Sequence, residues 1–183
     1  ANLTNFSLVD GRLMNVNLTN AVLTGADLSE TYCTDSDFTG ANLQNATLYR
    51  TGLYRSNLTD TDLSNANLTQ ANLSYTNFNG TIVSSTHFSN TDIFYTKSDA
   101  LVGTPSSLPN GTILANNIFV ANKSDLRGND LTGIDLTGMY LFNTQFSGGL
   151  VNGLITGTPS NLPNGWAIIN NYLIGNSSVL TGM

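Results

Sequence analysis

Apolar residues recur at every fifth position from Leu3. The series runs Leu3, Leu8, Leu13, Leu18, Leu23, Leu28, Cys33, Phe38, Leu43, Leu48, Leu53, Leu58, Leu63, Leu68, Leu73, Phe78, Val83, Phe88 and Ile93. Two residues earlier sits a second series of small residues: Ala21, Ala26, Thr31, Ser36, Ala41, Ala46, Thr51, Ser56, Thr61, Ala66, Ala71, Thr76 and Thr81. Asn, Asp, Thr, Ser and Gly fill most other positions.

A period of five suits neither regular element. On an α-helix five residues advance about 500°, so the leucines would spiral round the axis. On a strand side chains alternate faces, so an odd step sends alternate leucines to opposite sides. Every fifth residue points one way only if the chain bends once per pentad. Repeated bends wind the chain into a coil, and stacked coils hydrogen-bond about 4.8 Å apart. The pattern predicts an all-β solenoid with apolar rungs inside, each worth roughly 1.5–3 kcal/mol, and small residues at the corners. Three or four sides per coil remain open on the period alone.

Segments such as Ala26-Asp27-Leu28-Ser29-Glu30, Ala41-Asn42-Leu43-Gln44-Asn45 and Ala71-Asn72-Leu73-Ser74-Tyr75 resemble the A(D/N)LXX signature of pentapeptide-repeat proteins. The resemblance covers residues 1–98 and resumes through Leu126, Leu131, Leu136, Leu141 and Phe146. It implies a right-handed quadrilateral parallel β-helix with four pentads per coil. Phe6, Val16, Ile134 and Met139 are large for corners, and Asn129 is polar at an inward one.

A second repeat interrupts the first. Gly103-Thr104-Pro105-Ser106-Ser107-Leu108-Pro109-Asn110-Gly111 returns as Gly157-Thr158-Pro159-Ser160-Asn161-Leu162-Pro163-Asn164-Gly165. Each copy leads into two short apolar runs joined by Asn-Asn, at Asn116-Asn117 and Asn170-Asn171. Asn tolerates φ > 0, so each reads as a β-hairpin with a two-residue type I′ turn. The expected organisation is repeats over 1–98, an insertion over 99–125, resumed repeats over 126–153, and a second insertion over 154–183 cut before further repeats. The hairpins either pack on the solenoid or form binding appendages.

Of the 183 residues, 10% are charged and the formal net charge is −6, against roughly 25% charged in ordinary globular proteins. With no basic patch to neutralise phosphates, nucleic acid is not expected as a partner. No apolar run reaches the roughly 20 residues of a membrane span. No signal peptide is seen, and a start inside the repeat suggests a processed chain or a piece of something longer. The localisation stays unassigned. Cys33 is the sole cysteine and His87 the sole histidine, so no disulfide forms within the chain and ligand spacings for a metal are missing. Cys33 stands in the leucine series and reads as buried filler. His87 is expected to point out. The pairs Asp35/Asp37 and Asp60/Asp62 would suit acid–base chemistry if their pKa values were raised, although Asp before Leu is also simply part of the repeat. No catalytic residue, cofactor or metal is assigned. Asn-Leu-Thr sequons at Asn17 and Asn57 arise from the repeat itself.

With about twenty residues per coil, as the resemblance implies, one side collects Arg12, Tyr32, Tyr54, Arg55, Tyr75, Phe94 and Tyr95, with Tyr49 and Arg50 at its edge. Aromatic rings with Arg form a candidate interaction surface, or merely stack on one another from coil to coil. Elsewhere Thr19, Thr39 and Thr59 form a short array of the kind that orders water. The expected function is a non-enzymatic structural or protein-interaction scaffold, with a protein partner ahead of a glycan. The resemblance offers one alternative, a DNA-mimic-like protein that interacts with topoisomerases; a carbohydrate-binding surface module is another.

Overall fold

The computed structural model describes residues 1–146 and 154–175. The close of the resumed repeats (147–153) and of the second insertion (176–183) lies outside the described residues. The chain divides into two compact units, Ala1–Asn110 and Gly111–Met183.

In the first unit, parallel bridges join each residue to the one twenty further on: Asn2 to Val22, Ser7 to Asp27, Arg12 to Tyr32, Asn17 to Asp37, and onward to Ile82–Val102 and His87–Ser107. Twenty residues are four pentads, so each coil has four sides and the fold is a right-handed quadrilateral β-helix. The lattice continues past residue 98, because Val102 and Ser107 still bridge to the coil before them. One set of bonds repeats throughout. Leu23 N–H donates to Asn42 O at 2.7 Å, Asn42 N–H donates to Ala21 O at 2.9 Å, and Ala26 N–H closes the corner onto Leu23 O at 3.0 Å.

The corner sets a stereochemical demand. The second residue after each rung has φ > 0 at every pentad from Asn5 to Ala100. A four-residue turn with a left-handed third position is the type II geometry. Gly, Asn and Asp meet that demand at little cost; other residues pay about 1–2 kcal/mol.

The rungs from Leu18 to Ile93 are all buried, while Leu3, Leu8 and Leu13 in the first coil are half-buried. Phe6, large for a corner, is 54% exposed. Ser98 occupies an inward position and is buried. The small series does more than admit a bend. At several positions where it carries a hydroxyl, that group donates one coil and three residues back: Thr31 to Leu8 O, Thr51 to Leu28 O, Thr61 to Phe38 O and Thr81 to Leu58 O, at 2.7–2.8 Å; Thr76 instead donates within its own coil to Leu73 O. Each such carbonyl already accepts the corner N–H, so the hydroxyl takes its second lone pair and is itself satisfied in the interior.

The second unit holds two antiparallel hairpins, β1 (Ile113–Ala115) with β2 (Ile118–Val120), and β3 (Trp166–Ile169) with β4 (Tyr172–Gly175). Asn116 and Asn117 have φ of 47° and 60°, and Asn170 and Asn171 have 49° and 66°, as type I′ turns require. Ile118, Val120 and Leu173 are buried in one core with the rungs Leu126, Leu131, Leu136 and Leu141. The hairpins therefore cover pentad rungs in their own unit. Ile134 and Met139 join that core, and Asn129 is half-buried. Asp125, only 7% exposed, is held by Arg127 through two bonds of 2.8 and 2.6 Å.

Candidate interaction surface

The Asn or Asp before a rung of the first unit is in most cases spoken for locally; Asp92, before Ile93, is an exception. Asn17 Oδ1 accepts the Thr19 N–H at 2.9 Å, Asp27 accepts the N–H and hydroxyl of Ser29, and Asp37 accepts both from Thr39 at 2.9 and 2.5 Å. These Asx turns pre-form the corner, and they account for the Asn-Leu-Thr spacing.

The same bonds correct the carboxylate reading. The Thr39 hydroxyl and N–H hold the Asp37 carboxyl below its ordinary range. At Asp62 burial pushes upward, but the bonds from Ser64 and the Gln44 amide prevail and the net displacement is downward. Asp35 is ion-paired to Arg55 at 2.8 Å. Asp37 and Asp62 are thus shifted the opposite way from the raised carboxyl of a general acid. The threonine array is likewise occupied: the Thr39 and Thr59 hydroxyls donate to Asp37 and Asn57, and Asn57 Nδ2 donates to Thr39 at 2.8 Å. Those hydroxyls are bonded to neighbouring side chains of the chain itself. Cys33 is fully buried, and desolvation pushes its thiol up to about 12. His87 is exposed. Among the described residues no cluster of His, Cys, Asp or Glu could hold a metal ion, and no helix is long and apolar enough to cross a membrane.

The nine residues of the aromatic–arginine surface fall in five vertical columns of the first unit. Arg12 and Tyr32 begin one bridge ladder that continues Gly52, Asn72, Asp92. Tyr54 and Phe94 stand two residues further along their coils, Arg55, Tyr75 and Tyr95 stand on the next corner, Arg50 stands on the preceding corner, and Tyr49 stands beside it. The Tyr54 and Tyr75 rings meet edge to face at 5.4 Å, and Tyr75 stacks on Tyr95 at 4.9 Å. Arg50 lies 5.6 Å from the Tyr49 ring centre and 3.7 Å from Glu30. The Tyr49 hydroxyl donates to Gln70 Oε1 at 3.2 Å. Stacking does not hide the rings: Tyr32 is 57% and Tyr75 50% exposed.

The corners reveal an asymmetry that the periodicity alone does not signal. All four corner columns carry φ > 0. Two of them hold residues that are small or suited to it: Asn5, Gly25, Asn45, Asn65, Ser85, and Asn20, Gly40, Asp60, Gly80, Ala100. The two flanking the aromatic side hold Asp10, Glu30, Arg50, Gln70, Asn90, and Asn15, Asp35, Arg55, Tyr75, Tyr95. Long side chains thus sit in the disfavoured conformation on the borders of one face only. Numbering residues by their place in a twenty-residue coil, rather than in a pentad, would have exposed this in the sequence.

A family model for pentapeptide repeats matches eight copies, over residues 1–32, 17–53 and 53–90. No curated protein matches the chain. Among solved structures, the chain is similar to the pentapeptide repeat protein Rfr23 from the cyanobacterium Cyanothece 51142, at 33% identity over 56% of this chain and 60% of that one, with a TM-score of 0.44. It is also similar to a pentapeptide repeat protein from the Arabidopsis thaliana thylakoid lumen, at 17% identity over 70% and 67% of the two chains, with a TM-score of 0.41. A third similarity is to QnrB1, a plasmid-mediated fluoroquinolone resistance protein, at 16% identity over 79% and 88%, with a TM-score of 0.33. The chain spans 60% of the length of the first of these.

Proposed function

Because the chain belongs to the pentapeptide-repeat family through residues 1–90, we propose that it is a non-enzymatic scaffold that binds a protein partner through the side bearing Arg12, Tyr32, Tyr49, Arg50, Tyr54, Arg55, Tyr75, Phe94 and Tyr95. The observation that carries this reading is the pair of corner columns. Arg50, Arg55, Tyr75 and Tyr95 each sit at φ of 56–62°, where Asn or Gly would relieve strain of about 1–2 kcal/mol. Retaining bulky aromatic and cationic groups there works against stability. Tyr and Arg are also the residue types over-represented at binding hot spots. Fixed carboxylates, a buried thiol and a lone histidine support the non-enzymatic part.

The test uses substitutions that the corner welcomes. Tyr75→Asn and Arg55→Asn should preserve melting behaviour while abolishing recovery of a protein partner from a lysate of the source organism. Partners recovered equally well by both variants would remove this face from the function. The topoisomerase alternative has less support, because Glu30 and Asp35 are neutralised by Arg50 and Arg55 and this side presents no continuous acidic strip. A gyrase supercoiling assay without inhibition or protection disposes of it. Glycan-array binding lost on Tyr75→Asn would replace the protein partner with a carbohydrate.

A further inference from the structure

The ladder Arg12–Tyr32–Gly52–Asn72–Asp92 runs up the middle of this face, one residue per coil. Its ends are opposite charges. Arg12 and Asp92 are both exposed, and neither makes an ion pair or a side-chain hydrogen bond among the described residues. This distinguishes them from Arg50 and Arg55, whose charges are answered within the chain. Four coil spacings of about 4.8 Å put the two ends about 19 Å apart. The midpoint is Gly52, which has no side chain at all.

A ladder positive at one end, negative at the other and bare at the centre is complementary to its own inverted copy. We propose that the face is an isologous interface on which a second copy of this chain packs antiparallel, with the two-fold axis crossing the ladder at Gly52. The proposal rests on reading this side as an interaction surface and names its occupant. Inversion about Gly52 sets Arg12 against Asp92 of the second copy, and Tyr32 against Asn72. The neighbouring columns follow the same operation. Met14 meets Phe94, a thioether against a ring; Asp35 meets Tyr75, whose hydroxyl can donate to the carboxylate. Arg50 and Arg55 fall near the axis, each beside its own carboxylate, so no bare like charges are brought together. A parallel arrangement would instead set Arg12 on Arg12 and Asp92 on Asp92.

Gly52 does not owe its place to the backbone. Its φ lies outside the positive region, and a Cβ there would meet nothing closer than 3.9 Å. What its bareness provides is close approach at the axis. The cleft lined by Arg12, Met14 and Tyr32 at one end of the ladder is where the opposite end of the second copy would seat. Five coils give a face about 24 Å tall, and the five-residue step between corners at most about 17 Å of width. That is roughly 400 Å² per copy in projection, about half of what a standard specific interface buries per partner, so the dimer is weak, transient and concentration-dependent.

Sedimentation velocity on the full chain, from roughly micromolar to millimolar concentration, should show a reversible dimer that weakens with salt. Arg12→Asp leaves only acids at the two ends of the ladder, and Asp92→Arg leaves only bases. Each alone should weaken dimerisation by about tenfold or more. An equimolar mixture of the two should dimerise again, since both end contacts are then opposite in sign. Gly52→Arg, which the backbone accepts, should block the dimer with the circular dichroism spectrum unchanged. A monomer at every concentration, a dimer indifferent to these substitutions, or a mixture that stays monomeric would each overturn the proposal. If the wild type stays monomeric yet Tyr75→Asn still loses a protein partner, only the homodimer falls and the interaction surface stands.

Discussion

Leu58→Ala tests the apolar rungs at their most constrained point. Leu58 is fully buried, and its neighbours one coil down and one coil up are Phe38 and Phe78, also fully buried. The distance between those coils is held by the backbone: Phe38 N–H donates to Asn57 O at 2.7 Å and Leu58 N–H to Asn77 O at 2.8 Å. The coils therefore cannot close on the missing side chain without breaking bonds, and the cavity persists. Leu→Ala in a core costs about 2–5 kcal/mol, more when the site cannot collapse, so the expected loss is near 4 kcal/mol. Urea unfolding followed by far-ultraviolet circular dichroism reads it as a lower midpoint with an unchanged slope. A loss under about 1 kcal/mol would mean that the rungs do not stack as a rigid column, and the account of the interior would be wrong.

Two glycines should respond in opposite directions. Gly52→Ala is expected to stabilise the first unit by about 0.4–1 kcal/mol through the unfolded chain, because the added methyl meets only ordinary contacts. Gly80→Ala should cost about 1 kcal/mol or more, since φ there is +68° and a Cβ would collide with Asp60 Oδ1; thermal melts of the pair separate the cases. Cys33, with its thiol raised to about 12, should resist alkylation at pH 8 in the native chain and react fully in denaturant, read by mass spectrometry. Asp37 has a folded pKa below its ordinary 3.8, so its stabilisation is present above that value and is lost as pH falls through the folded pKa. Melting temperature should drop on acidification below pH 3.8, and Asp37→Asn, which keeps an Asx acceptor, should flatten part of that drop.

The bend per pentad, the inward rungs and the small corner series follow from residue order alone, because no straight element can turn every fifth side chain the same way. The Asn-Asn turns of both hairpins were legible for a similar reason, since few residues accept two successive positive φ values. Four sides per coil came only from resemblance until the twenty-residue bridges appeared: closure of a coil depends on contacts between residues far apart in the chain. Tertiary packing also decided the fate of the polar groups. Asp35 and Asp37 look alike in sequence, yet one reaches Arg55 on the next coil while the other folds onto Thr39 two residues on. Likewise Thr61 looks like a spacer until the Phe38 carbonyl is placed above its hydroxyl. Composition within five residues determines which way a side chain faces. What it then meets is set by the coil twenty residues away, and a pentad carries no information about that neighbour.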